Sequence, residues 1–195
     1  MPSIKALLAG AALSVFAVAA APAGEFVEWQ DDGTVLIKLG KDYDDAVITA
    51  HKDDMGALFG PDEKPFAGEE ITVLTLDSGP KGGISGPLYA FRPVFEELTG
   101  AKVNIALVPI SELYTKIFLD LRNGTGEYDG FIVGAFMYGD LIYGNYILPV
   151  DEWRESGDYG TWSYDVMPPS LKAISTSGGV GYGILNDADG QILYY

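Results

Sequence analysis

Three apolar runs set the pattern of the chain: residues 71–76 (ITVLTL), 102–108 (KVNIALV) and 129–135 (DGFIVGA). Each is short and nearly continuous, the mark of a strand buried on both faces, as in a parallel sheet. Between the first two runs, Leu88, Phe91, Phe95 and Leu98 recur at helical spacing, and Gly100 stands as a stop. Pro93 lies inside this stretch, so it either kinks the helix or starts a second one. Between the second and third runs, Leu113, Ile117 and Leu121 form an apolar stripe, Ser111 is a candidate cap and Gly124 follows the end. The order is βαβαβ. Right-handed crossovers then give an α/β fold, a parallel sheet with helices on both faces.

The stretch from 71 to 86 organises the rest. Its strand breaks into a loop holding Gly79, Gly82, Gly83 and Gly86, and Pro87 suits the first turn of a helix that Ser85 or Gly86 can cap. Loops at the carboxyl ends of parallel strands are where ligands sit in open α/β sheets. The spacing G-x-x-G-G-x-x-G is neither a dinucleotide fingerprint nor a P-loop. The plainer alternative is a flexible connection without ligand contacts.

Downstream, 136–146 is an aromatic segment of helical character, ended by 148–151 (LPVD). Residues 163–175 contain Pro168 and Pro169 and then a short helical pattern. A strand is expected over 180–185 (VGYGIL), a turn over 186–190 (NDADG), and a further strand begins at 191–195 (QILYY). That strand start has no turn or polar tail after it, so the chain is expected to be a fragment of a longer protein. Upstream, 24–68 is harder to read. A strand over 34–39 follows an Asp31-Asp32-Gly33 turn, and Pro61 and Pro65 mark a linker. Asp42, Asp44, Asp45, Asp53 and Asp54 surround His51 at spacings that match no metal-ligand pattern, and read as a solvated acidic surface.

Composition adds the compartment. Lys5, the apolar segment 6–20 and Ala-x-Ala sites at 17–19 and 21–23 make a cleavable secretory signal, with the cut expected after Ala23. The apolar segment is too short to span a bilayer. The mature chain is therefore expected in a bacterial periplasm, without membrane insertion. There is no cysteine, which excludes disulfides, thiolate metal sites and a lipid-anchored amino terminus. A net charge of −16 argues against nucleic acid and anionic membrane surfaces as partners. The single histidine weighs against an enzyme, since acid–base chemistry most often uses one.

The pieces ITVLTL, FEELTGAKVNIALVP, LYTKIFLDLRNGTGEYDGFIV, YGNYILPVDEW and GGVGYGILNDADGQILYY occur in this order over residues 71–195. In this the chain resembles the first lobe of bacterial extracellular solute-binding proteins of ABC importers, family 1, the sugar-binding type. The resemblance implies a periplasmic-binding-protein-like lobe, the first of two, with the second missing. It also implies a small solute, a sugar or polyol, held in the cleft between lobes and passed to permease subunits. No enzymatic activity and no cofactor are implied. The chain then divides into a signal peptide (1–23), an amino-terminal extension (24–68) and the first lobe (69–195), cut at its hinge-crossing strand. The extension has no counterpart in the usual pattern, and the loop 78–86 is longer and richer in glycine than usual.

Three loops should meet at the strand ends: 77–86, 136–140 and 186–190. Binding a sugar takes carboxylate or amide acceptors for its hydroxyls and flat aromatic faces for its C–H surface. Asp187 and Asp189 are candidate acceptors, against simple turn chemistry for the pair. Phe136 and Tyr138 are candidate aromatic faces, against core packing. Asp77, Ser78 and Gly79 complete the candidate ligand-binding set from the first loop. Trp153 and Trp162 read as structural. Asp187-Ala188-Asp189-Gly190 looks like part of an EF-hand loop, but Leu185 would hold its first ligand position and no Glu closes it, so no metal is expected. An exported α/β hydrolase is the alternative, although no G-x-S-x-G is present and any triad would have to use His51. A periplasmic docking protein without a transport role is a third.

Overall fold

The computed structural model describes residues 24–40, 43, 46–160 and 162–186. The expected signal segment 1–23, the aspartates 42, 44 and 45, the pair Asp187 and Asp189, and the strand at 191–195 lie outside the described residues.

A parallel sheet forms the centre, in the order β5-β4-β6. β4 (Glu70–Leu76) runs in full register beside β5 (Lys102–Val108) on one side and beside the short β6 (Gly130–Phe131) on the other. The crossover from β4 to β5 is α2 (Gly86–Thr99), and that from β5 to β6 is α3 (Ile110–Asn123). The two crossovers step in opposite directions across the sheet. With both right-handed, their helices fall on opposite faces.

Leu74, Val108, Leu113, Ile117 and Phe118 form the core between the sheet and α3. Met137 and Leu141 close it, from a 3-10 turn (Ala135–Met137) and α4 (Tyr138–Tyr143). The stripe read from the sequence, Leu113 and Ile117, is the buried one. The helix starts earlier than its predicted cap: Ile110 is its first residue and Pro109 precedes it, so Ser111 sits inside the first turn. Both helices end on glycines in the left-handed region, Gly100 at φ 75° and Gly124 at φ 61°.

Two expectations about α2 need correction. Pro93 neither breaks nor restarts it, and one helix runs through. Its most buried apolar residues are Ala90 and Val94 rather than the larger Leu88, Phe91, Phe95 and Leu98, and Phe91 is exposed. The cause lies upstream. Residues 24–68, mostly without assigned structure in the sequence, include a three-stranded antiparallel sheet, β1 (Val27–Trp29), β2 (Thr34–Lys38) and β3 (Val47–His51). Val27 and Val35 of this sheet pack on Val94, with Trp29, Ile37 and Leu98 around them. Adjacent carboxylates of α2 fasten both neighbours. Glu97 accepts from the backbone N–H groups of Phe26 (2.8 Å) and Val27 (3.1 Å), and Glu96 accepts from that of Val103 (2.8 Å). Beyond β3 come a single turn, α1 (Lys52–Met55), and the linker into β4.

After α4, the chain adds α5 (Asp151–Ser156), a 3-10 turn (Tyr164–Val166) and α6 (Pro169–Ser175). The expected strand at 180–185 shrinks to β8 (Val180–Gly181), which pairs with β7 (Thr176–Ser177) in a small hairpin and not with the main sheet. The rest of that segment is held by tyrosines. An added Cβ would lie 2.4 Å from the Tyr164 ring at Gly181 and 1.8 Å from the Tyr138 hydroxyl at Gly183, so only glycine lets the rings approach. Among the described residues, no helix is long and apolar enough to cross a membrane.

The stretch LDLRNGTGEYDG is explained by the turn between α3 and β6. Asp120 is buried and accepts from the Thr125 hydroxyl and from the Glu127 N–H (2.8 Å). Asp129 then exchanges bonds with Thr72: its carboxylate accepts from the Thr72 N–H (2.8 Å), and its own N–H donates to the Thr72 carbonyl (2.9 Å). Burial alone would raise the Asp120 pKa, but these hydrogen bonds outweigh it and hold the carboxyl below the ordinary carboxylate range. A depressed folded pKa stabilises the fold above the unfolded value, and that stabilisation is lost as pH falls through the folded value. Asp120→Ala should therefore cost about 1–3 kcal/mol at neutral pH, measured by urea unfolding. Its deficit against the parent should narrow as pH falls below about 4, where the unfolded chain's carboxyl begins to protonate, and vanish only below the lower folded value. At Gly40, an added Cβ would stand 3.0 Å from the Tyr89 carbonyl and 3.3 Å from the Pro93 ring. Gly40→Val should lower stability by about 1–3 kcal/mol through overpacking, read as a lower melting temperature.

Candidate functional site

The carboxyl ends of the three parallel strands open on one side, and a cleft of about 560 Å³ lies there. Leu76 closes β4 at its floor, and Phe131, Ile132 and Val133 follow from β6. Ile110 and Leu113 enter from the start of α3, and Leu171 and Ile174 from α6. This is the crevice where strand order reverses, the usual ligand position in such sheets.

The three loops singled out in the sequence all reach this cleft, each by a different residue. Ile84 comes from the glycine-rich loop, Phe136 and Tyr138 from the aromatic segment, and Asn186 from the last turn. The Asn186 amide donates to the Ile84 carbonyl at 3.1 Å, tying the first and third loops across 102 residues of sequence. Phe136 is 74% exposed, which no core side chain would be, and its ring stands at the cleft. Tyr138 is half-buried, and that burial raises its hydroxyl pKa, so the group is neutral and available as a donor.

Asp77, Ser78 and Gly79 are placed differently. None of them lines the cleft. The Asp77 carboxylate accepts from the Gly79 N–H at 3.0 Å, a local turn, and Gly79 takes φ 78°. Ser78 and Ser85 bond each other reciprocally. The Ser85 N–H donates to Ser78 Oγ (2.9 Å), and the Ser78 N–H reaches Ser85 Oγ (3.3 Å). The Ser85 hydroxyl has one hydrogen, which goes to the Gly79 carbonyl (2.9 Å). The contact between the two hydroxyls (2.9 Å) is then donated by Ser78. Ser85 thus precedes α2 without its side chain capping it. The loop is not a slack connection but a closed unit, continued by the Gly82 and Gly86 N–H groups bonding the Gly79 and Gly82 carbonyls.

The described wall is mainly apolar, with polar side chains only at Tyr138, Ser175 and Asn186. Ser175 donates its hydroxyl to the Leu171 carbonyl. Such a surface suits the C–H face of a hydroxylated solute, with hydrogen-bonding groups needed at its rim. Asp187 and Asp189, the expected charged acceptors, follow Asn186 directly and lie outside the described residues. Sequence reasoning did not mark Ile84, Ile174, Ile184 or Asn186 as site residues. For Asn186 there was a signal, an amide beside two aspartates. The isoleucines carried none. Trp153 sits on α5, 42% exposed, and Trp162 packs edge-on to Tyr164 at 5.0 Å. His51 ends β3 in the amino-terminal sheet, opposite Thr34. Among the described residues, no three His, Cys, Asp or Glu gather as metal ligands.

No protein-family model matches the chain. An erythritol/L-threitol-binding protein of Mycolicibacterium smegmatis is 34% identical over 71 residues, which span 36% of this chain and 15% of that protein. A solved ABC-transporter solute-binding protein from Agrobacterium radiobacter K84, in complex with ribitol, covers 48% of this chain and 22% of its own, with 20% identity and a TM-score of 0.43. The chain spans far less than two thirds of either relative. Both are binding proteins by name and not enzymes. The resemblance to a solute-binding protein read from the sequence is thus borne out over part of the chain, which carries a parallel α/β lobe and is similar in sequence to a polyol-binding protein.

Proposed function

We propose that the protein is a periplasmic receptor of an ABC importer, which captures a polyol or sugar in the strand-end cleft and delivers it to permease subunits. The observation that carries this reading is the 34% identity with an erythritol/L-threitol-binding protein. The convergence of Ile84, Phe136, Tyr138 and Asn186 on one cleft supports it. In this reading Phe136 and Tyr138 lie against the carbon skeleton of the solute. Asp187 and Asp189 accept from its hydroxyls, and Asp77, Ser78 and Gly79 frame the loop above it. The opposite wall belongs to a second lobe. Contacts that differ between open and closed arrangements would favour closure around the solute.

Calorimetric titration of the full-length protein with erythritol and L-threitol tests this. The expected result is saturable binding without chemical change of the polyol. Asp187→Ala and Asp189→Ala should each weaken it by about 1.5–3 kcal/mol, on the order of ten- to a hundredfold. Phe136→Ala should weaken it as well, with little effect on melting temperature, since the ring is exposed. Absence of binding to any polyol or sugar would overturn the reading, and turnover of the solute would favour a hydrolase.

Export follows from the same reading, with residues 1–23 as a cleaved leader. Expressed in a bacterium, the protein should be recovered from the periplasmic fraction with Gly24 at or near its amino terminus. A product retaining Met1 in the membrane fraction would contradict this.

A further inference from the structure

The amino-terminal sheet reaches the glycine-rich loop. Between β2 and β3 the described residues are tied by backbone bonds: the Leu39 N–H donates to the Ala46 carbonyl (3.1 Å), Tyr43 to Gly40 (2.9 Å) and Ala46 to Tyr43 (3.1 Å). Gly40 and Tyr43 lie along the first half of α2. The Gly40 N–H donates to the Ala90 carbonyl at 3.0 Å, next to the Tyr89 carbonyl, whose helical donor is lost at Pro93. One turn nearer the helix start, the Tyr43 hydroxyl donates to the Pro80 carbonyl at 3.4 Å. It occupies the notch left by Gly86, where an added Cβ would lie 2.3 Å from its oxygen.

From these contacts we infer that the amino-terminal sheet is a strap for the solute site, with Tyr43 as the positioning residue that holds the loop from Pro80 to Gly86. The loop is then clamped from two sides. Asn186 holds Ile84 from the cleft side, and Tyr43 holds Pro80 from the amino-terminal sheet. Gly82, Gly83 and Gly86 widen the range of conformations open to this loop, and a solute must offset the cost of selecting one. A strap that has already selected it spares the solute that cost. Residues 24–68 thereby act on this chain's own cleft and not on an external partner. The effect on affinity rests on the reading of the cleft as the solute site. The effect on the loop does not.

The test is Tyr43→Phe in the full-length protein, which keeps the ring and removes the hydroxyl. Hydrogen exchange at the amides of Gly82, Ser85 and Gly86 should speed up about three- to tenfold, the effect of losing one hydrogen bond, with exchange in β4 and α3 unchanged. The Kd for erythritol should rise by a similar factor at an unchanged melting temperature. Gly86→Ala should loosen the same amides by displacing Tyr43, and less so in the Tyr43→Phe background, where the clashing oxygen is gone. Loop exchange equal to the parent in Tyr43→Phe, or fully additive variants, would overturn the strap. A loosened loop with unchanged erythritol affinity would overturn its role in binding. A parent that binds no polyol at all, with a loosened loop in the variant, would instead remove the solute assignment and leave the strap standing.

Discussion

The geometry of the cleft follows from the parallel pairing of β4. Hydrogen-bonded on both sides, it lies at the centre of the sheet with its neighbours pointing the same way. Parallel strands cannot be joined by tight turns, so each must be left through a helix. All three carboxyl ends then emerge at one edge, and the loops that leave them are neighbours in space whatever their separation in sequence. The cleft is a consequence of that geometry. Leu76, Ile132 and Ile110 stand together because Leu76 ends β4 while Ile132 and Ile110 follow β6 and β5 at the same end.

The acidic side chains divide by position relative to this edge. Asp120, in the last turn of α3, and Asp129, just before β6, lie at the opposite end of the sheet, where they close a turn and set the start of β6 against Thr72. Glu96 and Glu97 fasten α2 to β5 and β1. Their work is structural: each takes backbone N–H groups that would otherwise lack partners. Asp77 sits at the functional edge, yet it too is spent on its own backbone, accepting from Gly79. A carboxylate at the mouth of a cleft is therefore not thereby a ligand.

The amino-terminal sheet changes how α2 is read. A helix between a parallel sheet and solvent needs one apolar face, and its large residues mark it. Here a second layer covers α2, so small Ala90 and Val94 are buried where elements approach closely, and larger side chains lie around the margin. The same layer supplies a backbone donor, Gly40, to the Ala90 carbonyl, beside the Tyr89 carbonyl whose helical donor is lost at Pro93.

By itself the sequence determined the βαβαβ order, the bounds of β4 and β5 to within a residue, the glycine stops at Gly100 and Gly124, and the convergence of three loops. These rest on local signals: continuous apolar runs, helical spacing, left-handed glycines and the chirality of crossovers. Only the tertiary structure decided the rest. Residues 24–68 escaped because short antiparallel strands with mixed exposure carry little periodicity of their own, and their partners lie on α2. The strand at 180–185 was over-read because its glycines answer to the rings of Tyr138 and Tyr164 and not to a ladder. Ser85 looked like a helix cap, but its single hydroxyl hydrogen is taken by Gly79, a residue whose position depends on how the loop folds back. Which side chains of a loop face the cleft is settled by contacts across a hundred residues, such as Asn186 with Ile84, and no local pattern encodes those.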